Sequence, residues 1–404
     1  ICVVVGHASD QVKSAIKENV SFAMQLEQLG TGHAVIMAED FSEEEGKTLV
    51  LFGDTPLITS ETLKALLETT IEKNNAVTVL STVVDEPQGY GRIIRKDGQV
   101  LKSVEHKDAT EAEHSVAEIN SGMYCFDSNA LKTALSKLSN DNSQGEYYLP
   151  DVLPIIMSEG GQVEALITKN SDEILGINTK VQLAEARTIL QRRINNEHML
   201  NGVTIINSDQ TYISQDAIIG QDAVIYPNTF IEGKSTIGED SIIGPNTKIV
   251  NSQVGKGTSV EQSTVLESTI GDRTTVGPYA YIRPNSQIGN EIKIGDFVEV
   301  KNAVIGDGTK ISHLTYVGDA DVGKKVNFGC GTVIVNYDGQ KKYRTTIEDE
   351  AFIGCNTNLV SPVTVHKRAY TAAGSTVTKD VPEEALAIAR SRQTNIEEWV
   401  KRNK

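Results

Sequence analysis

The stretch from Ile219 to Ile249, IGQDAVIYPNTFIEGKSTIGEDSIIGPNTKI, carries an isoleucine at every sixth position. The six isoleucines are Ile219, Ile225, Ile231, Ile237, Ile243 and Ile249, and a glycine directly follows three of them. A period of six fits neither an α-helix nor a single strand, and it is typical of the hexapeptide repeats of a parallel β-helix. In such a fold each hexapeptide forms one side of a triangular coil and points its aliphatic residue inward. The aliphatic side chains then stack on their equivalents in neighbouring coils, ~4.8 Å apart.

The six-residue pattern continues beyond Ile249, with occasional slips of one residue. Its further aliphatic positions are Val254, Val260, Val265, Ile270, Val276, Ile282, Ile288, Ile294, Val300, Ile305, Ile311, Val317 and Val322. The pattern breaks between Ile334 and Ile347 and returns at Ile353, Leu359 and Val365. Since stacked repeats of this kind share one continuous core, we predict that residues 201–404 form a left-handed parallel β-helix with a C-terminal tail.

Residues 1–180 show a different pattern, in which short apolar runs alternate with segments of helical spacing. The predicted elements are strands at 48–52 and 76–80, a helix at 59–73 that begins at Thr59 or Ser60, and a hairpin at 91–105. This alternation predicts an α/β, Rossmann-like domain whose sheet is mostly parallel.

Two further features concern the ends of this first domain. Residues 181–200 contain neither Gly nor Pro and consist largely of good helix formers, so they are predicted to form a linker helix. The chain begins with ICVVV at residues 1–5, which reads as a buried strand already in progress. Because globular domains rarely begin on a core strand, we expect a further N-terminal segment before Ile1.

The composition favours a cytoplasmic protein that binds neither nucleic acid nor membranes. The 404 residues carry a formal net charge of −16, which repels polyanions unless a local basic patch exists. No apolar run approaches the ~18 residues that span a bilayer, and no signal peptide is recognisable. The four cysteines lie far apart in the sequence, so they indicate neither a disulfide framework nor a zinc site.

The interruption of the repeat is the first candidate for a functional segment, since solenoid insertions are loops and loops carry function. Residues 336–344, NYDGQKKYR, combine turn residues with three cations. From Arg283 to Arg344 there are nine Lys or Arg and seven Asp or Glu, a local balance of 9 − 7 = +2. This positive region suggests an anionic ligand, although ordinary variation in surface charge explains the count equally well.

His313 lies two residues after the inward Ile311, a position that places it at the outside of a coil. It is either a general base with a pKa near neutrality or an ordinary surface histidine. The repeat region holds only His313 and His366, whereas a hexapeptide carbonic anhydrase needs three histidines for its zinc, which argues against that class.

Short motifs in a fixed order make the chain resemble the bacterial bifunctional N-acetylglucosamine-1-phosphate uridylyltransferase / glucosamine-1-phosphate N-acetyltransferase family. In the first domain they are QLEQLGTGH (25–33), FGDTP (52–56), GYGR (89–92), VEHKD (104–108), EINSG (118–122) and GIN (176–178). In the repeat region they are Arg283-Pro284, VEVK (298–301), HLTY (313–316), NYDG (336–339) and AAG (372–374). The resemblance covers essentially the whole chain and implies synthesis of UDP-N-acetylglucosamine.

For the repeat region the resemblance implies transfer of acetyl from acetyl-CoA to the amino group of glucosamine 1-phosphate. It gives the role of general base to His313. The implied sugar-phosphate contacts are Arg283, Lys301, Tyr316, Asn327 and Lys342. The implied acetyl-CoA contacts are Cys330, Asn336, Tyr337, Cys355, Ala373 and Arg390, with Cys355 at a position where relatives often have Ser. Direct transfer needs no thiol, so we expect both cysteines to be buried structural residues rather than nucleophiles. Similar acyltransferases place the site between adjacent β-helices, which implies a homotrimer.

For the first domain the resemblance implies attack of N-acetylglucosamine 1-phosphate on the α-phosphorus of UTP, assisted by Mg²⁺. Asp54 follows a strand, where α/β sheets bind ligands, and it would hold the metal together with Asn178. Gln25, Gly30 and Thr31 would contact the uracil, and Gly91, Glu105 and Asn120 the sugar. Phe52 and Gly53 complete the implied UDP-N-acetylglucosamine contacts. Without the family, Asp54 in Gly-Asp-Thr-Pro also fits a simple turn aspartate.

One departure and two alternatives remain open at this point. The family begins with a glycine-rich loop that cradles the triphosphate, and residues 1–404 do not contain it. One alternative is another sugar-1-phosphate nucleotidylyltransferase whose β-helix only regulates or oligomerises. The other is a non-enzymatic solenoid whose first domain merely binds sugar nucleotides.

Overall fold

The computed structural model describes residues 1–38, 41, 45–142 and 144–402. The chain forms two compact units, Ile1–Arg187 and Thr188–Lys404, and the division falls within one helix, Lys180–Leu200. A helix is therefore observed where the linker helix is predicted, at 181–200, while its role as a linker and the domain limits 1–180 and 201–404 stay predictions. In the described part of the chain no helix is both long and apolar enough to cross a membrane.

The first unit alternates helices and strands, as the sequence predicts. Its strands are β1 Cys2–Val5, β2 Ser21–Met24, β3 Lys47–Val50, β4 Val77–Val83, β5 Arg92–Lys96, β6 Gln99–Val104, β7 Glu118–Asp127 and β8 Val163–Ile167. Its α-helices are α1 Ser9–Ala15, α2 Thr31–Ile36, α3 Ser60–Glu72, α4 Glu111–His114, α5 Ser128–Leu135 and α6 Val152–Ser158, and α7 Lys180–Leu200 begins in it. Short 3₁₀ turns cover His106–Asp108, Leu149–Asp151 and Ser171–Ile174.

The main sheet of this unit has six strands, in the order β6-β5-β7-β4-β8 with β3 also on β7. The prediction of a mostly parallel sheet is wrong for it, because β7 runs antiparallel to β3, β4 and β5, and only β4 and β8 pair in parallel. The long strand β7 is buried along nearly its whole length and so organises the core. A separate parallel pair is formed by β1 and β2.

Two local predictions in the first unit are confirmed. Helix α3 begins after Thr59, whose hydroxyl oxygen accepts a hydrogen bond from the backbone N–H of Thr62 at 3.3 Å. Strands β5 and β6 form an antiparallel hairpin that turns at Asp97 and Gly98. Both turn residues have positive φ, of 51° and 82°, which suits an Asp-Gly pair in a tight hairpin turn.

The second unit is a left-handed parallel β-helix with three faces, which confirms the predicted fold. The first face holds Thr204–Ile205, Val224–Ile225, Ile242–Ile243, Ser259–Val260, Thr275–Val276, Asn327–Phe328, Phe352–Ile353, Tyr370–Thr371 and Leu386–Ala387. The second face holds Thr211–Ile213, Thr229–Glu232, Lys248–Val250, Thr264–Leu266, Tyr281–Ile282, Val333–Val335, Asn358–Val360 and Thr376–Val377. The third face holds Ile218–Ile219, Thr236–Ile237, Gln253–Val254, Thr269–Ile270, Gln287–Ile288, Val304–Ile305, Ala320–Val322, Thr345–Ile347 and Thr364–Val365.

Two longer strands, Lys293–Lys301 and Lys310–Gly318, run from the first face around a corner onto the second. They pair with each other in parallel, with Asp296 opposite His313 and Lys301 opposite Gly318. This continuous pair of strands carries three of the residues that the sequence analysis singles out, Lys301, His313 and Tyr316.

The aliphatic positions predicted to point inward are all buried and form one continuous core. One coil takes about eighteen residues, as in the pairs Ile225↔Ile243 and Ile231↔Ile249. The coil from Phe328 to its partner Ile353 is longer because it contains the predicted loop, which lies between the strands Val333–Val335 and Thr345–Ile347.

Both ends of the β-helix are covered. On the N-terminal side the amide of Asn195, in helix α7, donates to the carbonyls of Ser208 at 2.8 Å and Thr211 at 3.0 Å. The neighbouring Ile194 packs against the core. On the other side Ala385 and Ala387 close the core, and a short helix, α8 Trp399–Arg402, follows.

Candidate active sites

His313 and Asp296 form a hydrogen-bonded pair at the corner shared by the two long strands. The Nδ1 atom of His313 lies 2.7 Å from Oδ1 of Asp296, one coil away. The imidazole is 58% exposed, as expected for a position two residues after the buried Ile311. The hydrogen bond lowers the pKa of Asp296, so this carboxylate is ionised at neutral pH and can accept a hydrogen bond from Nδ1–H. Nε2 is then the nitrogen with a free lone pair.

Two of the predicted cations lie on the second face, each beside an acid. Nη1 of Arg283 donates to Glu299 at 2.8 Å, and this hydrogen bond raises the pKa of Arg283. Nζ of Lys301 lies 3.1 Å from Asp319, and both side chains are largely buried, with 17% and 9% exposed. These contacts hold the two positive groups in defined positions on the surface of the coil.

Lys342 brings a further positive charge to the same place. The proximity of Lys301 lowers the pKa of Lys342, with a smaller contribution from Arg283. Lys342 is thus close enough to Lys301 and Arg283 for both to affect it, and a cluster of cations of this kind can bind an anion such as a phosphate.

The loop that carries Lys342 has a defined conformation. Tyr337 and Lys342 form an antiparallel bridge, and the carboxylate of Asp338 accepts hydrogen bonds from the backbone N–H groups of Gln340 and Lys341. These bonds lower the pKa of Asp338. Arg344 is bound by Asp321 and by the carbonyls of Asn302 and Ala320, so it anchors the end of the loop instead of adding to the positive region.

The ring of Tyr316 lies against the neighbouring backbone of Gly318. A Cβ at Gly318 would overlap the phenol, so this close approach requires glycine. The hydroxyl accepts a hydrogen bond from Nδ2 of Asn336 at 3.3 Å, which connects the long strand to the loop. Asn327 begins the next strand of the first face, opposite Lys310, and is half-buried.

Three of the six predicted acetyl-CoA residues form a column along one corner. The carbonyl of Cys330 accepts a hydrogen bond from Asn356 N at 2.8 Å, and that of Cys355 accepts from Gly374 N at 2.8 Å. Cys330, Cys355 and Ala373 therefore follow one another on successive coils. The side chain of Arg390 comes within reach of Gly374 at the end of the column.

The prediction that the two thiols are buried is wrong, because both cysteines are exposed. Each follows the corner glycine after an inward residue, Phe328 or Ile353, and thus occupies an outward position. The corner column consequently presents small side chains to solvent.

In the first unit, the predicted uracil contacts lie close together. Nε2 of Gln25 donates to the carbonyl of Gly30 at 3.1 Å, and the hydroxyl of Thr31 accepts from Leu149 N at 3.0 Å. Gly30 has a φ of 106°, and an added Cβ would lie 2.6 Å from the carbonyl oxygen of Tyr147. This position thus requires glycine.

The predicted sugar contacts also converge. A Cβ built on Gly91 would lie 3.6 Å from Oε1 of Glu105 and 3.7 Å from Cβ of Asn120. Burial raises the pKa of Glu105, with added repulsion from Asp151 and Asp108. Nδ2 of Asn120 donates to Tyr124 at 2.7 Å, which fixes the amide.

Phe52 and Asp54 lie on the segment that follows strand β3. The ring of Phe52 packs against Gly122, where any side chain would collide with it, and Gly53 beside it is exposed. A Cβ built on Gly176 would lie 3.8 Å from Oδ2 of Asp54 and 3.9 Å from Nδ2 of Asn178. The structure therefore brings together both predicted metal ligands.

A carboxylate and an amide oxygen suit Mg²⁺, which commonly takes one or two protein oxygens and completes its shell with phosphates and water. Within the described residues no group of three His, Cys, Asp or Glu side chains could hold a metal by itself. The donor set fits a metal that is bound together with a nucleotide.

Three acids of the acetyl-transfer region were missed as functional residues: Asp296, Glu299 and Asp319. Their partners lie one coil away, at separations of 17, 16 and 18 residues. The repeat length was known from the sequence, so a search for acids one coil from each candidate cation or histidine could have found them.

The sequence matches two family models. The Nucleotidyl transferase model matches residues 1–172, and the model for Bacterial transferase hexapeptide (six repeats) matches residues 216–251 and 267–302. These two matches correspond to the α/β unit and to the β-helix.

Curated relatives match nearly the whole chain. The "Bifunctional protein GlmU" of Acetivibrio thermocellus is 56% identical over 402 residues, covering 99% of this chain and 87% of the relative. The protein of the same name from Clostridium perfringens is 55% identical over 404 residues, covering 100% and 89%, and that from Clostridioides difficile is 54% identical over 401 residues, covering 99% and 87%.

Solved structures match only in part. A glucose-1-phosphate thymidylyltransferase from Bacillus anthracis gives a TM-score of 0.37 at 19% identity, covering 47% of this chain and 75% of that chain. An Arabidopsis UDP-N-acetylglucosamine acyltransferase gives 0.32 at 18% identity, covering 45% and 70%. These scores are too low to carry an argument.

Proposed function

The chain belongs to the family of bifunctional GlmU proteins, and on that premise we propose how its residues serve the two reactions of this family. It is an enzyme with two transferase activities. One transfers acetyl from acetyl-CoA to glucosamine 1-phosphate in the hexapeptide unit. The other transfers the uridylyl group of UTP to N-acetylglucosamine 1-phosphate in the nucleotidyltransferase unit and releases pyrophosphate.

For acetyl transfer, His313 is the general base. The amine of glucosamine 1-phosphate must be neutral to attack the thioester, and Nε2 of His313 takes the proton that it loses. Asp296 accepts a hydrogen bond from Nδ1–H of His313, which fixes the tautomer and orients the ring. The observation that carries this proposal is the 2.7 Å contact between the two side chains, on the strand pair that also carries Lys301.

The phosphate of the sugar substrate is held by Arg283, Lys301 and Lys342, and Tyr316 and Asn327 bind phosphate or sugar. Lys301 and Arg283 both lower the pKa of Lys342, and this proximity supports one shared anion site. Such charge-assisted hydrogen bonds are stronger than neutral ones and can place the amine for attack.

Acetyl-CoA lies along the corner column of Cys330, Cys355 and Ala373. Its small exposed side chains leave room for an extended arm, and Arg390 at the end of the column supplies a positive charge for the cofactor's phosphates. Asn336 and Tyr337 border this path at the start of the loop. Neither thiol is required as a nucleophile.

Replacing His313 tests the assignment of the base. We expect H313A to lower thiol release from acetyl-CoA in the presence of glucosamine 1-phosphate by at least ~100-fold. The matched control is H366A, because His366 also contacts a carboxylate one coil away, Glu348 at 3.2 Å, outside the proposed site. The circular dichroism spectrum and the number of chains in the oligomer should be unchanged in both variants. Equal rates in H313A and H366A would remove His313 from the mechanism.

For uridylyl transfer, Gln25, Gly30 and Thr31 contact the uracil, Phe52 and Gly53 line the nucleotide site, and Gly91, Glu105 and Asn120 hold the sugar. Asp54 and Asn178 hold Mg²⁺. The metal, when bound, neutralises charge that develops on the phosphates. The side chains themselves position the attacking phosphate and the nucleotide.

Replacing Asp54 tests the metal site. We expect D54A to abolish the Mg²⁺-dependent protection of the chain against thermal unfolding in the presence of UDP-N-acetylglucosamine, and to lower pyrophosphate release. D97N, at the hairpin turn, is the control, and acetyl transfer in the same samples should be unaffected. Unchanged Mg²⁺ dependence in D54A would place the metal elsewhere.

The active protein is a homotrimer with acetyltransferase sites at the subunit boundaries. The bulky residues Tyr279, Phe297 and Leu314 occupy equivalent corners of successive coils and are 56%, 58% and 59% exposed. All three have positive φ, a conformation that is uncommon for such side chains. This apolar ridge adjoins His313, so a neighbouring subunit that covers it would also complete the site. Light scattering that gives the mass of one chain would contradict the trimer.

A cytoplasmic location is also proposed, supported by the absence of disulfides among the four cysteines. Fractionation of cells that express a tagged chain would test it. Recovery of the chain with secreted proteins would contradict it.

A further inference from the structure

We propose that Asp319 is a positioning residue, whose carboxylate fixes the positions of the phosphate-binding Lys301 and of the loop that contacts acetyl-CoA. The inference rests on the proposed contacts of Lys301 and Asn336 and extends them. Asp319 would not touch either substrate. It would act by fixing the side chains that do.

The carboxylate of Asp319 is the meeting point of three donors. Nζ of Lys301 lies 3.3 and 3.1 Å from its two oxygens, and Nδ2 of Asn302 donates to Oδ1 at 2.7 Å. Nδ2 of Asn336 donates to Oδ2 and is also close to Tyr316. The donors come from two different segments, the end of the long strand Lys293–Lys301 with its corner and the beginning of the loop.

The site requires a buried acceptor with negative charge. The side chain of Asp319 is only 9% exposed, and Lys301, at 17%, is its charged partner. Burial alone would raise the pKa of Asp319, but the hydrogen bonds from Asn302, Lys301 and Asn336 lower it overall. An ionised carboxylate accepts all three bonds, whereas an amide at this position would turn an N–H group toward at least one donor.

The backbone supports the same role. Asp319 has a φ of 51°, in the left-handed region where Asp and Asn are favoured among residues with a side chain. Its N–H donates to the carbonyl of Lys301 at 2.9 Å, and its carbonyl accepts from Thr345 at 3.1 Å, directly after the loop. Main chain and side chain of one residue thus connect the strand that bears Lys301 with both ends of the loop.

An ordinary ion pair of the solenoid provides the contrast. Asp307 and Lys324 also lie one coil apart, at 3.2 Å, but they are 43% and 65% exposed. This pair lies outside the proposed substrate contacts. D307N is therefore a matched control for D319N.

The test measures acetyl transfer by full-length D319N, D307N and the parent chain, with KM determined separately for glucosamine 1-phosphate and acetyl-CoA. We expect D319N to raise both KM values by ~10-fold or more and to lower kcat less, because two sets of contacts are displaced. D307N should leave both values unchanged.

Double variants distinguish positioning from a general loss of structure. In a K301A background, D319N should no longer change the KM for glucosamine 1-phosphate but should still raise that for acetyl-CoA. In an N336A background the pattern should be reversed. A residue that only stabilises the fold would give the same additional loss in both backgrounds.

Each outcome has a separate meaning for the two proposals. If K301A and N336A alone leave both KM values unchanged, the proposed substrate contacts are wrong. If they raise the KM values while folded D319N does not, the role of Asp319 is wrong. If D319N does not fold, N302G removes one donor from the same carboxylate and keeps a residue suited to the φ of 47° at position 302. It should raise both KM values in the same direction, and no change would overturn the inference.

Discussion

The coils from Ile219 to Ile270 and those from Arg283 to Arg344 are built on the same repeat but present different outward side chains. In the earlier coils the acids and bases one coil apart form exposed pairs, such as Lys256 and Glu239 at 2.7 Å with 65% and 53% exposed. In the later coils the same spacing produces the largely buried pair Lys301 and Asp319 and the His313–Asp296 contact. The repeat therefore provides the spacing, and the type of the outward side chains, together with the burial of Lys301 and Asp319, makes a site from it.

The largest expected effect tests whether the two regions share one kind of core. Ile243 and Ile294 are both fully buried and lie in the same inward column, three coils apart with Val260 and Val276 between them. We expect I243A and I294A each to reduce the free energy of unfolding by ~2–5 kcal/mol. Chemical denaturation measures this. A much smaller loss for I294A would mean that the site coils are packed more loosely.

The second prediction concerns the pH dependence of the buried pair. The pKa of Asp319 is lowered on folding, so its contribution to stability is complete above the unfolded value of ~3.9 and is lost as the pH falls through the folded value. D319N should therefore be less stable than the parent chain at pH 7 by ~1–3 kcal/mol. The difference should shrink below about pH 4. A difference that is independent of pH would exclude ionisation as its source.

The third prediction compares the loss of the residue that orients the base, Asp296, with the loss of the base, His313. Because Asp296 only orients His313, we expect D296N to lower kcat for acetyl transfer by about 10-fold, less than H313A. E348Q, which alters the carboxylate beside His366, should not change kcat. Steady-state assays at saturating substrates measure both. A loss in D296N as large as in H313A would indicate that the pair acts as one unit.

The smallest effect is expected in the exposed coils. K256A removes an ion pair whose members are well solvated, and such pairs contribute little to stability. We expect the melting temperature to change by less than ~2 °C, and acetyl transfer to be unchanged. A larger shift would mean that exposed ion pairs stabilise the β-helix as strongly as buried ones do.

The β-helix could be predicted closely because its signal repeats many times. Each inward aliphatic residue confirms its neighbours, so single slips at Val254 or Val265 do not obscure the fold. The first unit could be predicted only in outline, because a strand such as β7 shows its burial in the sequence but not the direction of its partners. Strand direction depends on connections across the whole sheet.

The site was predictable wherever a motif or repeat position indicated it. The outward position of His313 followed from its distance to Ile311, and Asp54 and Asn178 meet beside Gly176. The partners of these residues were not predicted, since contacts between coils depend on which outward side chains lean toward each other. The exposure of Cys330 and Cys355 was misjudged because residue type was given more weight than repeat position.

The pairing Ile225↔Ile243 has a consequence for the length of the β-helix. Every coil offers the next one an equivalent hydrogen-bonding edge, so excision of residues 226–243 would join Ile225 to Gly244 with the edges still matched. The β-helix would lose one coil, while the residues proposed for acetyl transfer kept their neighbours. Removing half a coil would instead shift the following strands out of alignment with their partners in the preceding coil. The number of coils between the start of the β-helix and the acetyl-transfer residues is thus a quantity that evolution or an engineer can change in whole coils.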